Sequence, residues 1–112
     1  MEQKYIFSQS EGDAWFKRNI DGLQAIEQSA QSEDVRYLCD TLAPFRESIK
    51  WVLEIGCSNG IKLEAICHRF DAVGVGIDPS PMAVSSGNAR KKLANVTLQV
   101  GTGDKLPCEL AS

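Results

Sequence analysis

The stretch Val52-Leu53-Glu54-Ile55-Gly56-Cys57-Ser58-Asn59-Gly60 decides the fold of this chain. A short apolar run contains an acidic residue near its end, a glycine-bounded turn follows, and a segment with helical periodicity begins after it. This order predicts a strand–loop–helix junction at which a ligand can approach the backbone closely. Asp78, eighteen residues past Gly60, closes a second apolar run. Together the two stretches predict a site for a nucleoside-bearing cofactor across the ends of two adjacent parallel strands.

The pattern of apolar residues predicts that strands and helices alternate along the chain. Strands are expected at 50–55, 73–77 and 96–100, and helices at 60–70 and 79–93. Right-handed crossovers would place the strands side by side in the order 3-2-1. The predicted fold class is α/β, a truncated Rossmann-like three-layer sandwich (β-α-β-α-β) with N-terminal helices. The predicted division is an N-terminal helical segment at 1–45 and a Rossmann-like half-domain at 46–112.

The spacing of apolar residues also predicts which sides face the core. Strand 50–55 is nearly continuous in apolar residues, as expected of a strand that is buried on both faces. Gly74 and Gly76 would let a helix or a ligand lie close to the second strand. The helices are expected to turn these residues inward: Trp15, Phe16 and Ile20, in a helix capped by 10–13; Val35, Leu38, Cys39 and Leu42, after an N-cap at Ser32; Leu63, Ile66, Cys67 and Phe70; and Met82, Ala89 and Leu93.

Length, charge and cysteine content narrow the class of protein. The chain has 112 residues, enough for one small domain, and a net charge of -3. The nearest to a basic block is Arg90-Lys91-Lys92, which a solvated helix face explains, so nucleic-acid binding has no electrostatic support. No signal-peptide core and no membrane-length apolar run is present, so a cytoplasmic location is expected. The cysteines form no CxxC pair, so free thiols and no metal site are expected at Cys39, Cys57, Cys67 and Cys108.

Carboxylates at the ends of the first two strands are the main candidates for ligand binding. Glu54 needs a partner for its charge within an apolar strand: a cationic group of a ligand, a water network beneath it, or a lysine or arginine of the chain. Asp78 could accept hydrogen bonds from both hydroxyls of a ribose, could cap the helix that follows, or could do both. Backbone N–H groups from Cys57 to Ile61 would favour an anion. Residues 102–104 form either a rim that reads an adenine or a plain surface turn.

These motifs in combination resemble a known family. Leu-Glu-Ile-Gly-x-x-x-Gly, then Gly-Ile-Asp-x-Ser, then Gly-x-x-Asp-x-Leu-Pro, over about residues 50–108, is similar to the cofactor half of class I S-adenosylmethionine-dependent methyltransferases, closest to type 11. The resemblance implies S-adenosyl-L-methionine as the cofactor. It implies that Glu54, Gly56, Cys57, Ser58 and Gly60 surround the methionine part and that Asp78 binds the ribose. It also implies that Pro79, Ser80 and Met82 flank the adenine, and that Thr102, Gly103 and Asp104 read its edge.

The function implied by this resemblance is methyl transfer by a longer parent enzyme to a small-molecule acceptor. Residues 12–19 are also similar to the leading segment of some methylases of bacterial surface-sugar biosynthesis, which implies a sugar-related acceptor. Two alternatives stay open: an NAD-type dinucleotide-binding domain, although Gly56–Gly60 departs from GxGxxG spacing, and a non-catalytic cofactor-binding module.

The implied family also leads to expectations about whether this chain is a fragment and about its partners. Its sheet has seven strands, so this chain is expected to be a fragment that is inactive alone, and no catalytic residue is assigned. Its expected partners are a small-molecule substrate and a second copy, bound through the open edge of strand 51–55, which the N-terminal segment could protect instead. Nucleic acid and membrane are not expected as partners.

Overall fold

The computed structural model describes residues 10–18, 33–92 and 94–104. Its elements in chain order are α1 (10–18), α2 (Glu33–Leu42), a 3-10 helix (Ala43–Ser48), β1 (Trp51–Ile55), α3 (Ile61–Phe70), β2 (Val73–Asp78), α4 (Pro81–Arg90) and β3 (Val96–Val100). The expectations for Ile20, Ser32, Leu93 and Cys108, and for 105–107 of the third motif, lie outside the described residues.

The three strands form one parallel sheet with β2 in the centre. The order is β1-β2-β3, which reads 3-2-1 from the β3 edge. Leu53 on β1 lies opposite Val75 on β2, and Val75 lies opposite Thr97 on β3. Helices separate the strands along the chain, so the predicted α/β class, with a Rossmann-like β-α-β-α-β order, is confirmed.

Helices α3 and α4 cover one face of the sheet. The core on this face joins strand and helix residues: Cys57, Leu63, Cys67, Val84, Val96 and Leu98. Glycines allow the close packing, because a Cβ on Gly74 would lie 3.2 Å from Leu63 Cδ1 and a Cβ on Gly76 would lie 2.9 Å from Leu98 Cδ2. A second cluster lies between α2 and α3 and contains Val35, Cys39, Phe70 and Ala72.

The other face of β1 is open, which corrects the expectation of a strand buried on both faces. Trp51, Leu53 and Ile55 are exposed by 64%, 42% and 55%, and Val73 beside them on β2 is exposed as well. We call these four residues the open face. An apolar run shows only that the strand has apolar side chains on both faces. Whether each face is buried depends on whether another layer of the fold covers it.

Helix α4 turns a different side inward from the one expected. Ala83, Val84 and Gly87 are buried, whereas Met82 and Ala89 are exposed. The Oγ atom of Ser80 accepts a hydrogen bond from the Ala83 N–H and so sets where the helix begins. A Cβ on Gly87 would lie 2.8 Å from the Asn59 carbonyl carbon, so this contact requires glycine unless the backbone shifts.

The remaining helices follow the predicted spacing in most positions. In α3, Leu63, Cys67 and Phe70 are buried and Ile66 is half-buried, as predicted; in α2, Val35 and Cys39 are buried but Leu38 is exposed. Gly12 and Asp13 lie inside α1 rather than ahead of it, so their expected capping of that helix is wrong. Within the described ranges no helix is long and apolar enough to cross a membrane.

Candidate cofactor-binding site

The loops at the carboxyl ends of the three strands meet at one edge of the sheet. The N–H groups of Gly56 and Cys57 both donate to the carbonyl oxygen of Ile77, at 2.7 and 3.1 Å. On the other side of β2, the Gly101 N–H donates to the carbonyl oxygen of Asp78 at 3.0 Å. The end of β2 is therefore the point to which the first and third loops are fixed. In open α/β sheets, this edge is where ligands bind.

Asp78 connects the first two loops through its side chain. Its Oδ1 atom accepts a hydrogen bond from the Ser58 N–H at 2.9 Å, and its Oδ2 atom accepts one from the Ser80 N–H at 3.0 Å. An ionised carboxylate has about four acceptor positions, so each oxygen keeps room for one more donor. Asp78 is expected to bind a ribose, to cap α4, or to do both. The structure shows that Ser80, rather than Asp78, is the N-cap of α4. The backbone of Ser58, which donates its N–H to Asp78 Oδ1, is in the left-handed region with a φ of 53°.

Glu54 lies half-buried beneath the first loop. Its Oε1 atom is buried and has no hydrogen-bond partner in the described part of the chain, and the same holds for Ser58 Oγ. Burial raises the pKa of the Glu54 carboxyl, the Asp78 charge raises it further, and Lys62 opposes them. The Lys62 ammonium itself forms an ion pair with Asp34. Glu54 thus offers an unused acceptor atom that a cationic ligand group would satisfy.

The backbone donors of the first loop are mostly used within the fold, which corrects part of the expected anion site. Besides the N–H groups of Gly56, Cys57 and Ser58, the Gly60 N–H donates to the Cys57 carbonyl oxygen at 2.9 Å. Helix α3 begins directly after this loop. Its N-cap is Gly60, which has no side chain to accept a hydrogen bond from the N–H groups of the first turn. The first turn of α3 therefore carries the donors that remain for an anion.

The residues expected around an adenine lie at two places on the same edge. Pro79 and Ser80 precede α4, and Met82 is exposed in its first turn. After β3, the Thr102 Oγ1 atom donates to Asp104 Oδ1. A Cβ on Gly103 would lie 3.1 Å from Ile55 Cγ2, so this loop reaches across the sheet to the end of β1.

Cys57 is a packing residue of the first loop. Its thiol is buried, and a Cβ on Gly76 would lie 2.7 Å from its Sγ atom. Burial, followed by the charges of Asp78 and Glu54, raises the pKa of the Cys57 thiol to about 12. Because the thiolate is the reactive form, this environment opposes a nucleophilic role. Across the described ranges, no group of three or more histidine, cysteine, aspartate or glutamate residues could hold a metal ion.

Sequence reasoning missed three residues that shape this site. Asn59 is buried, and its Oδ1 atom has no hydrogen-bond partner among the described residues. Arg90 donates from Nη2 to the Asn59 carbonyl oxygen at 3.0 Å and from Nη1 to Glu64 Oε1 at 2.9 Å, which fixes the loop to α4. Asp13 reaches the start of α4 from α1. Asn59 stood inside the motif and could have been found there, whereas the other two act through contacts distant in sequence.

Comparison with known proteins gives a likeness of fold. The chain matches no protein-family model and no curated protein. A solved structure that is similar to it is the chain designated as the methyltransferase in a complex with the Haloferax volcanii Trm112 methyltransferase activator. The TM-score is 0.60 with 23% sequence identity, and the match spans 89% of this chain and 41% of that chain. At this identity the likeness shows the fold alone, which is of the α/β class.

The same neighbour corrects the expected partners. It is found in a complex with a protein activator, which contradicts the expectation of a small-molecule substrate and a second copy of the chain as the partners.

Proposed function

We propose that this chain is the cofactor-binding part of an S-adenosylmethionine-dependent methyltransferase. The observation that carries the proposal is the buried Glu54 Oε1 atom, which lacks a hydrogen-bond partner in the described ranges. The charge of Asp78 also raises the pKa of this carboxyl, in addition to the effect of burial. Two carboxylates at the ends of neighbouring strands suit a ligand that brings a cation and a ribose to one place. S-adenosylmethionine has an ammonium, a sulfonium and two ribose hydroxyls. When bound, this cofactor supplies the methyl group, and the protein contributes its binding and orientation.

In this proposal, different residues at the carboxyl edge of the sheet bind different parts of the cofactor. Glu54 accepts hydrogen bonds from the ammonium, and the first turn of α3 binds the carboxylate of the methionine part. Gly56 leaves its backbone open to the ligand, because a Cβ there would meet nothing within 4 Å. Asp78 uses its two remaining acceptor positions for the ribose hydroxyls. The other proposed contacts are Cys57, Ser58 and Gly60 at the methionine part, Pro79, Ser80 and Met82 beside the adenine, and Thr102, Gly103 and Asp104 at its edge.

An NAD-type ligand suits these residues less well. A dinucleotide brings a pyrophosphate, which is anionic, to the glycine loop. Glu54 and Asp78 both place negative charge there, and most N–H groups of that loop already donate within the fold. Repulsion between like charges would therefore oppose the pyrophosphate.

Calorimetric titration of the 112-residue chain with S-adenosylhomocysteine and with NAD tests the proposal. We expect S-adenosylhomocysteine to bind more tightly. Asp78→Asn should weaken that binding about tenfold or more, because hydrogen bonds to a charged group contribute about 1.5–3 kcal/mol. Asp71→Asn is the matched control, since Asp71 is exposed before the other end of β2. A preference for NAD, or equal affinities of the Asp78→Asn variant and the unmodified chain, would overturn the proposal.

We further propose a protein partner, of the activator type seen with the structural neighbour, on the open face. Exposed apolar side chains on one sheet face support this, because such patches mark interaction sites. Size-exclusion chromatography with the Haloferax volcanii Trm112 activator tests it. Leu53→Lys should abolish co-elution, whereas Leu38→Lys on α2 should not, although both leucines are about equally exposed at 42% and 45%. Separate elution of the unmodified chain, or equal effects of the two variants, would contradict the proposal.

A further inference from the structure

Asp13 joins the N-terminal helix α1 to the start of α4. Its Oδ1 atom accepts a hydrogen bond from the Met82 N–H at 3.1 Å and another from Ser80 Oγ. The Met82 N–H belongs to the first turn of α4, where helical N–H groups have no partner within the helix. A carboxylate at this end also interacts favourably with the helix dipole. Asp13 therefore completes, from another helix, the cap that Ser80 begins.

Ser80 connects Asp13 to the candidate site through hydrogen bonds. Its side chain is fully buried, and its Oγ atom accepts from the Ala83 N–H at 3.0 Å while donating to Asp13. Its own N–H donates to Asp78 Oδ2 at 3.0 Å, and Asp78 Oδ1 accepts from the Ser58 N–H at 2.9 Å. Hydrogen bonds thus run without a break from α1 through Ser80 and Asp78 to the glycine loop.

The packing of α1 keeps Asp13 within reach of Ser80. A Cβ on Gly12 would lie 3.1 Å from both the N and the Cβ atoms of Ser80, so the two backbones approach closely. Glycine is unfavourable inside a helix, and a close approach of this kind is a reason for its presence there. Phe16, four residues after Gly12 and three after Asp13, lies on the same side of α1 and is buried.

We propose that Asp13 is a positioning residue that couples the docking of α1 to ligand binding at Asp78. It touches no ligand; it holds Ser80, which orients the carboxylate that accepts the ribose hydroxyls. This inference rests on the proposed function. Because coupling between two sites is reciprocal, a ligand on Asp78 strengthens the docking of α1 by the same factor by which docked α1 strengthens the binding of that ligand.

The first test measures amide hydrogen exchange of the 112-residue chain by NMR without ligand. Asp13→Ala should speed exchange of the Ser80 and Ser58 N–H groups about 2- to 30-fold, the range expected for loss of a helix cap. Lys17→Ala, an exposed position on the same helix, is the control and should change neither. Unchanged exchange at both amides would overturn the coupling whether or not the cofactor proposal holds.

The second test adds S-adenosylhomocysteine. We expect the ligand to slow amide exchange in residues 10–18, and Asp13→Ala to weaken binding by the same 2- to 30-fold and to abolish that slowing. Asp13→Asn keeps an oxygen that can accept both hydrogen bonds, so its effect should be smaller, and it serves as the second variant if Asp13→Ala does not fold. Gly12→Ala, which pushes α1 away from Ser80, should act like Asp13→Ala.

The outcomes of the second test separate the two proposals. If the unmodified chain binds S-adenosylhomocysteine and Asp13→Ala binds it equally well, the coupling is overturned and the proposed function stands. If the unmodified chain does not bind it, the proposed function fails, and the first test still decides whether Asp13 controls the order around Asp78.

Discussion

Replacing Glu54 with glutamine is expected to stabilise the protein in the absence of ligand. The buried Oε1 atom has no hydrogen-bond partner among the described residues, and the nearby Asp78 adds repulsion. Leaving a buried polar group unsatisfied costs about 1–3 kcal/mol, and more when the group is charged. Glutamine keeps the shape and stays polar, and the variant loses the attraction of Lys62. We therefore expect the lower end of that range, a gain of about 1 kcal/mol in the free energy of unfolding at pH 7.

The pH dependence of this gain has a defined sign. Burial raises the pKa of Glu54 above its ordinary value of 4.5, so the folded state binds the proton more tightly than the unfolded state. The contribution of Glu54 to stability is therefore most favourable below 4.5 and is lost as the pH rises through the raised pKa of the folded state. The Glu54→Gln variant does not titrate here, so its advantage should be small in acid and grow to its full value above the raised pKa.

Urea unfolding at several pH values between about 4 and 8 measures both effects. Glu47→Gln, at an exposed position of the 3-10 helix, is the control for the same chemical change. With S-adenosylhomocysteine present the order should reverse, because the variant loses the acceptor proposed for the ammonium. A Glu54→Gln variant that is less stable at pH 7 would show that Glu54 has a partner within the fold. An advantage that does not change with pH would show that the pKa of Glu54 is not raised, and either result would contradict the prediction.

Three further predictions concern the packing around the site. Gly87→Ala should lower the free energy of unfolding by about 1–3 kcal/mol in urea, because its Cβ would lie 2.8 Å from the Asn59 carbonyl carbon; a gain would mean that α4 can shift. Glu64→Gln should cost about 1.5–3 kcal/mol, because it weakens a largely buried ion pair; an undiminished cost in an Arg90→Met background would contradict this. Iodoacetamide should label Cys57 slowly at pH 8 and rapidly in urea, because the pKa of its thiol is raised to about 12; equal rates by mass spectrometry would argue against burial.

The sequence predicted the order of the strands and helices because each depends on a local pattern. Val73, Val75 and Ile77 alternate with glycines, and the predicted strand matches β2 to within one residue. The loops that follow the strands could be placed for the same reason, since parallel strands bring their carboxyl ends to one edge. The contact between Ser58 and Asp78 follows from this arrangement, although only the structure shows the hydrogen bond itself.

Features that depend on distant contacts were not predictable in this way. The inward side of α4 follows from a close approach to the Asn59 backbone, which favours Gly87 over larger apolar residues such as Met82. The exposure of Leu53 depends on what covers the sheet. The position of Asp13 against α4 joins residues nearly seventy positions apart, as its separation of 69 from Met82 shows. No local pattern of apolar residues contains such information.

Leu98 gives the packing of this fold an evolutionary consequence. Its side chain occupies the space into which a Cβ at Gly60, Gly76 or Gly87 would point, and these glycines belong to three different segments of the chain. A mutation that adds a methyl group at any of them conflicts with the same leucine. A larger residue at Gly76 would need a change at Cys57 as well as at Leu98, and a larger residue at Gly87 would also need the Asn59 backbone to move. Four positions spread over about forty residues thus constrain one another's evolution, because one side chain fills the space beside all three glycines.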